Sequence, residues 1–218
     1  MTVALPAGPA DVSVDVHAPD APWAVAALAH GAGAGLRHPF LVGLASALAD
    51  AGIAVLRFAF PYSEAGRRMP GPASHATATW QAVEAAARDR HPGLPFAALG
   101  KSYGGRMASM AAAEGLIHPQ SLVYLGYPLH PPGRPESPRI AHLPLIEPPQ
   151  LFLEGTSDPF VDPHDQLEAA VRDCRDARIV WVEGGGHSFE VKGRRRPAED
   201  VGAGLAPIVL DELRRVLR

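Results

Sequence analysis

Residues 96–106 read FAALGKSYGGR. Phe96 to Leu99 is a short, nearly continuous apolar run, the pattern of a strand covered on both faces. Gly100-Lys101-Ser102-Tyr103-Gly104 follows at once and leads into a helical stretch, Tyr103 to Glu114. A serine with glycine two positions away on either side, set between strand and helix, has the pattern of a nucleophile elbow, G-x-S-x-G. Such a serine sits on a strained corner with its hydroxyl exposed. The glycines admit close backbone approach, and the helix N-terminus favours negative charge.

Further apolar runs predict strands at Ala24 to Ala29, Ile53 to Phe58, Leu122 to Leu125, Leu151 to Leu153 and Ile179 to Val182. Val12 to Val16 instead alternates apolar and polar residues, which suits a sheet edge with one wet face. Helices are predicted at Phe40 to Ala51, Ala76 to Arg90, Asp165 to Arg175 and Val201 to Leu217. In the last, Leu205, Val209, Leu213, Val216 and Leu217 form the packing stripe, with Asp211, Glu212, Arg214 and Arg215 on the other side. This alternation predicts one α/β domain over residues 1–218, with a doubly wound, mostly parallel sheet and its ligand site at the carboxyl ends of the strands. Gly126 to Pro149 is rich in proline and too short for a helical cap, so an open cleft is expected.

A serine hydroxyl is a poor nucleophile until a base takes its proton, and the base needs a carboxylate to fix its tautomer. Just past the strand Leu151 to Leu153 comes Glu154-Gly155-Thr156-Ser157-Asp158, and just past Ile179 to Val182 comes Glu183-Gly184-Gly185-Gly186-His187. The order Ser102, Asp158, His187 is the one expected after an elbow of this type. Asp162 competes as the acid but lies four residues further from its strand. Oxyanion donors are expected from the backbone N–H of Tyr103 and of Ala32, with Gly33 in reserve, since AVAALA runs into the glycine-rich turn His30 to Gly35. His30 is expected to hold that turn by hydrogen bonding rather than to transfer protons. Arg106 is expected in a structural ion pair one helical turn after Ser102, and Tyr62 and the Pro128 loop are candidate pocket walls. The roles of Lys101 and Arg57 stay open.

Two rival motifs fail on single residues. Gly100-Lys101-Ser102 resembles the end of a phosphate loop, but the first glycine of that pattern would be Pro95. Gly31-Ala32-Gly33 resembles the start of a dinucleotide fingerprint, but the third glycine would be Leu36, and no acid follows the second strand to hold a ribose.

Taken together, His30-Gly31-Ala32-Gly33, Arg57-Phe58 with Pro61-Tyr62, Gly100 to Arg106, Gly155 to Phe160 and Gly186-His187-Ser188-Phe189 resemble the small, cap-free branch of α/β hydrolases related to dienelactone hydrolases. The similarity runs over nearly the whole chain. It implies an α/β-hydrolase fold without a cap domain, the triad Ser102, His187 and Asp158, and chemistry on a small-molecule ester or thioester with no metal and no organic cofactor. Dienelactone hydrolases proper carry cysteine where this chain has Ser102. Some members of the branch are hydrolase-like proteins in larger assemblies, which supplies the alternative of a catalytically idle scaffold.

The composition of the 218 residues agrees with this reading. A net charge of -3 and a sequence pI near 6.4 give no basic face for nucleic acid. No apolar run is long enough to span a membrane, and the start carries no secretory pattern, so a cytoplasmic location is expected. The lone cysteine, Cys174, is expected inside a helix as a bystander. The basic run Lys192 to Arg196 is read as a solvated loop, with attraction of anionic substrates as the sharper alternative.

Overall fold

The computed structural model describes residues 1–218. A small antiparallel pair, β1 (Thr2–Val3) and β2 (Ala10–Asp11), precedes β3 (Val14–His17), β4 (Ala24–Ala29), α1 (Pro39–Asp50), β5 (Ile53–Phe58), α2 (Pro61–Glu64) and α3 (Ala73–Arg90). There follow β6 (Phe96–Lys101), α4 (Tyr103–Ala113), β7 (Ser121–Leu125), β8 (Gln150–Gly155), α5 (His164–Arg172), β9 (Ala177–Val182) and α6 (Ala198–Leu217). Seven strands form one sheet in the order β3-β5-β4-β6-β7-β8-β9, parallel throughout except for the edge strand β3.

The continuous apolar runs are strands buried on both faces. Along β4, Val25, Ala27 and Ala29 enter one apolar cluster, while Ala24, Ala26 and Leu28 enter the other. The first cluster is completed by α3, α4 and α5 through residues such as Trp80, Met107 and Leu167. The second is completed by α1 and α6 through Leu44, Leu48, Leu205, Val209 and Leu213. Pro39 at the first helical position and the His38 side chain, which accepts the Phe40 N–H at 3.3 Å, start α1. Helices α1 and α6 then cross with almost no space between them: a Cβ at Gly43 would collide with the Glu199 carbonyl oxygen, and one at Gly202 with that of Phe40.

Several expectations are corrected. The edge strand pairs over Val14–His17 rather than Val12–Val16, because Ser13 turns both its N–H and its hydroxyl to the Glu64 carboxylate (2.8 and 2.9 Å). Val16, expected on the same face as Val12 and Val14, is exposed. The strand at residues 177–182 is only half-buried along its length, since β9 is the other sheet edge. Helix α5 stops at Arg172, so Cys174 lies beyond it, with its Sγ 3.2 Å from the Ala170 carbonyl. Glu212 does not join the wet face of α6: it is buried and accepts hydrogen bonds from Arg178 (2.8 Å) and Arg215 (2.8 and 3.0 Å). Burial alone would raise its carboxyl, but those two guanidinium groups outweigh burial and hold it below the usual range. The β1/β2 pair and the one-turn α2 have too few residues to show periodicity, and sequence reasoning missed both.

Candidate active site

Strand β6 delivers Ser102 to the carboxyl edge of the sheet, where the chain reverses direction into α4. The serine adopts φ 49° and ψ −115°, outside the regions that L-residues ordinarily occupy. The corner is held by the Ser102 N–H on the Leu125 carbonyl (3.1 Å) and by the Arg106 N–H on the Ser102 carbonyl (3.0 Å). Gly104 is needed because a Cβ there would come within 2.6 Å of the His30 carbonyl oxygen.

Asp158 lies in the turn after β8 and is 1% exposed. Its Oδ1 accepts the Phe160 N–H at 2.9 Å and its Oδ2 accepts from His187 Nδ1 at 2.7 Å. His187 occupies the loop after β9, and its Nε2 lies 2.8 Å from Ser102 Oγ. Because the carboxylate can only accept, Nδ1 carries the ring proton and Nε2 is left to accept from the serine hydroxyl. Burial lowers the imidazole's proton affinity and Lys101 adds to this, against the opposing hydrogen bond that Nδ1 donates to Asp158. The ring is therefore neutral at neutral pH. Asp162 is exposed and makes no hydrogen bond to the histidine.

Two loops from adjacent strands meet to hold the acid and the histidine. The Ser157 N–H donates to the Gly185 carbonyl (2.8 Å), and the Gly184 N–H to Thr156 Oγ1 (2.8 Å). Lys101, next to the serine, is largely buried and donates from Nζ to the His187 carbonyl at 2.7 Å. Burial pulls its ammonium down to about 8, opposed by the charges of Glu154 and Asp158. Its contact ties the histidine loop to the strand that carries Ser102. Arg57, by contrast, is remote from this chemistry: it donates to the Leu36 carbonyl (2.5 Å), contacts His17 Nε2 (3.1 Å) and lies 3.7 Å from Asp15.

The glycine-rich turn after β4 passes directly beside the serine, since a Cβ on Gly31 would lie 3.5 Å from that of Ser102. It is not slack. Buried His30 donates from Nδ1 to the Gly31 carbonyl (2.8 Å) and accepts the Phe60 N–H on Nε2 (3.2 Å), while Ser63 Oγ donates to the Ala34 carbonyl (3.2 Å). Ala32, Gly33 and Tyr103 line the same cleft as Ser102 and His187. Tyr103 opens α4, so its N–H has no intrahelical acceptor.

The cleft has a volume of about 680 Å³. Pro128 lines it as expected, whereas Tyr62 is buried beneath, its hydroxyl 3.5 Å from the Gly31 carbonyl. Arg106 reaches the cleft without forming the ion pair expected of it. Arg139, Glu190 and Met69 also line it and were missed, because each lies on a loop with no motif around it. No three His, Cys, Asp or Glu side chains are gathered in a way that could hold a metal ion, and no helix is long and apolar enough to cross a membrane.

Comparison with known proteins adds a family and a set of neighbours. The alpha/beta hydrolase domain family matches residues 23–201. A serine hydrolase without a lid from Xanthomonas campestris superposes with a TM-score of 0.72 at 23% identity, covering 100% of this chain and 94% of that one. A dienelactone hydrolase from Anabaena variabilis gives 0.71 at 22% identity (100% and 97% covered). Est1E from Butyrivibrio proteoclasticus, with ferulic acid bound, gives 0.75 at 16% identity (98% and 99% covered). At these identities the likeness shows the fold.

Proposed function

The chain belongs to the alpha/beta hydrolase domain family, and from that premise we propose that it is a serine hydrolase cleaving carboxylic esters or thioesters through an acyl-enzyme on Ser102. The observation that carries this reading is the unbroken hydrogen-bond chain from Ser102 Oγ to His187 Nε2 (2.8 Å) and from Nδ1 to Asp158 Oδ2 (2.7 Å), opening on one cleft. Structural neighbours described as a serine hydrolase, a dienelactone hydrolase and an esterase domain are in keeping with it.

In this mechanism Ser102 Oγ attacks the carbonyl carbon as its proton passes to His187 Nε2, and the carbonyl π electrons move to oxygen. Asp158 keeps the imidazole in the required tautomer and stabilises the imidazolium. The N–H groups of Tyr103 and Ala32 receive the oxyanion, each donor being worth about 10²- to 10³-fold in rate. As the intermediate collapses, the bond to the leaving alcohol or thiol breaks and that group takes the proton from His187. Water, deprotonated by His187, then attacks the acyl carbon; the bond to Ser102 Oγ breaks and the serine regains its proton.

The test is labelling by a fluorophosphonate probe together with turnover of short and medium 4-nitrophenyl esters, in wild type and Ser102→Ala. Labelling and turnover that both vanish in the variant are expected. A folded wild type that neither labels nor turns over would overturn this reading in favour of the idle scaffold.

A further inference from the structure

We propose that the cleft beside Ser102 contains a subsite for a carboxylate group of the substrate, formed by the guanidinium groups of Arg106 and Arg139, so that the ester it takes is anionic. This rests on the serine-hydrolase reading above. Arg106 lies on the first turn of α4, Arg139 on the proline-rich segment after β7, and both line the cleft that holds Ser102 and His187.

Neither arginine has an acid. Arg106 makes no side-chain hydrogen bond, and its Nε is buried without any partner. Arg139 has only a long contact from Nη1 to the Pro128 carbonyl, at 3.4 Å. The buried cationic side chains elsewhere each have a polar partner, although Arg57 Nε, like Arg106 Nε, has none: Lys101 donates to a carbonyl, and Arg57 donates to a carbonyl and lies near Asp15. The acid lining this cleft, Glu190, forms no ion pair with either arginine.

Both arginines line the same cleft. Burial, and then the charge of Arg106, lowers the proton affinity of Arg139. Burial and Arg106 likewise hold the neighbouring His142 imidazole down at about 4, so it is neutral at neutral pH and adds no charge of either sign. Two guanidinium groups without an acid in one partly desolvated cleft are costly until an anion arrives, and their planar donor forks match a carboxylate.

The pair is also firmly built. Ser109 Oγ donates to the Arg106 carbonyl (2.7 Å) and meets His142 Nε2 (2.7 Å). Tyr127 donates its hydroxyl to the Arg139 carbonyl (2.9 Å), and the Arg139 N–H donates to the Leu129 carbonyl (2.7 Å). The backbones of both arginines are thereby anchored on one buried polar network. The basic run Lys192 to Arg196 lies outside this cleft: its side chains are exposed and border a separate surface bowl.

Matched esters test this on both halves of the substrate. Mono-4-nitrophenyl adipate against 4-nitrophenyl hexanoate places the charge on the acyl side. Against methyl 4-acetoxybenzoate, 4-acetoxybenzoate places it on the leaving group. Each kcat/KM ratio is corrected for the two esters' rates with hydroxide. At low ionic strength, wild type should favour the charged member of at least one pair by about tenfold. That preference should shrink with salt and fall by about tenfold in Arg106→Gln and in Arg139→Gln, but persist in Arg195→Gln. Arg139, on a loop, serves as the variant of choice if α4 does not tolerate a change at 106. Equal ratios in both pairs, or a preference that survives the double variant, would overturn the subsite. If wild type neither labels with fluorophosphonate nor hydrolyses any ester, the hydrolase reading fails separately. Calorimetry with adipate then decides the subsite, which stands on arginine-dependent binding and falls on none.

Discussion

Ser102 holds a backbone conformation that costs about 1–3 kcal/mol in a residue with a Cβ, and beside it a lysine ammonium is buried to secure one carbonyl of the histidine loop. Both expenses fall at one point, where the serine hydroxyl must face a neutral imidazole. Since burial lowers the proton affinity of His187, the base stays unprotonated at neutral pH. Activity is therefore expected to be level through neutrality and to decline as pH falls through a value below the ordinary histidine pKa of about 6.5. A pH profile of kcat/KM checks this; a limb above that value would contradict the burial argument. Asp158→Asn should keep the fold yet lower kcat by about 10⁴-fold, because an amide in place of Oδ2 no longer dictates the tautomer that leaves Nε2 free to accept. A loss of under tenfold would mean that another group orients the ring.

At the scale of elements, the crossing of α1 and α6 supports one side of the sheet and depends on two missing side chains. A Cβ at Gly202 meets the backbone of Phe40, which cannot rotate out of the way. Gly202→Val should thus force the helices apart and destabilise the protein by about 3 kcal/mol. Gly204, two residues on, is a matched control, because its nearest neighbours are the movable guanidinium atoms of Arg196 at 3.3 and 3.4 Å. Gly204→Ala should be neutral or stabilising by up to about 1 kcal/mol, through helix propensity alone. Midpoints of denaturant unfolding at constant slope distinguish the two. Similar costs at both positions would show that helix propensity, not the crossing, governs the response. Periodicity found α6 but misplaced Glu212, because a charged residue looks like a solvated one until Arg178 of β9 is brought against it.

Across the whole molecule, the segment from Gly126 to Pro149 is anchored in the core towards both ends, with its middle exposed. Tyr127, Leu129, Leu143 and Ile146 are buried in the cluster under α3 and α4, leaving Pro128 and Arg139 to border the cleft. With no cap domain to displace, turnover of a sparingly soluble ester should rise smoothly through its solubility limit, with no activation at an interface. A sharp jump when micelles form would show that some segment closes the cleft.

The elbow, the two strand-end partners and the alternation of strand and helix were legible in the chain alone, because each is a local pattern: a turn that demands glycine, a residue just past an apolar run, a periodicity. Asp158 was preferred to Asp162 on the same local ground, distance from a strand end, and the structure sets Asp158 rather than Asp162 against the histidine. What only the tertiary structure decided are the pairings between residues far apart in sequence. Lys101 on the His187 carbonyl, Glu212 between two arginines, and Arg106 and Arg139 in one cleft without an ion pair depend on which loops the parallel sheet brings together. Sequence pattern records how one element meets water or core, whereas charge pairing and its absence are set by neighbours contributed by other elements, which exist as neighbours only after the sheet has formed.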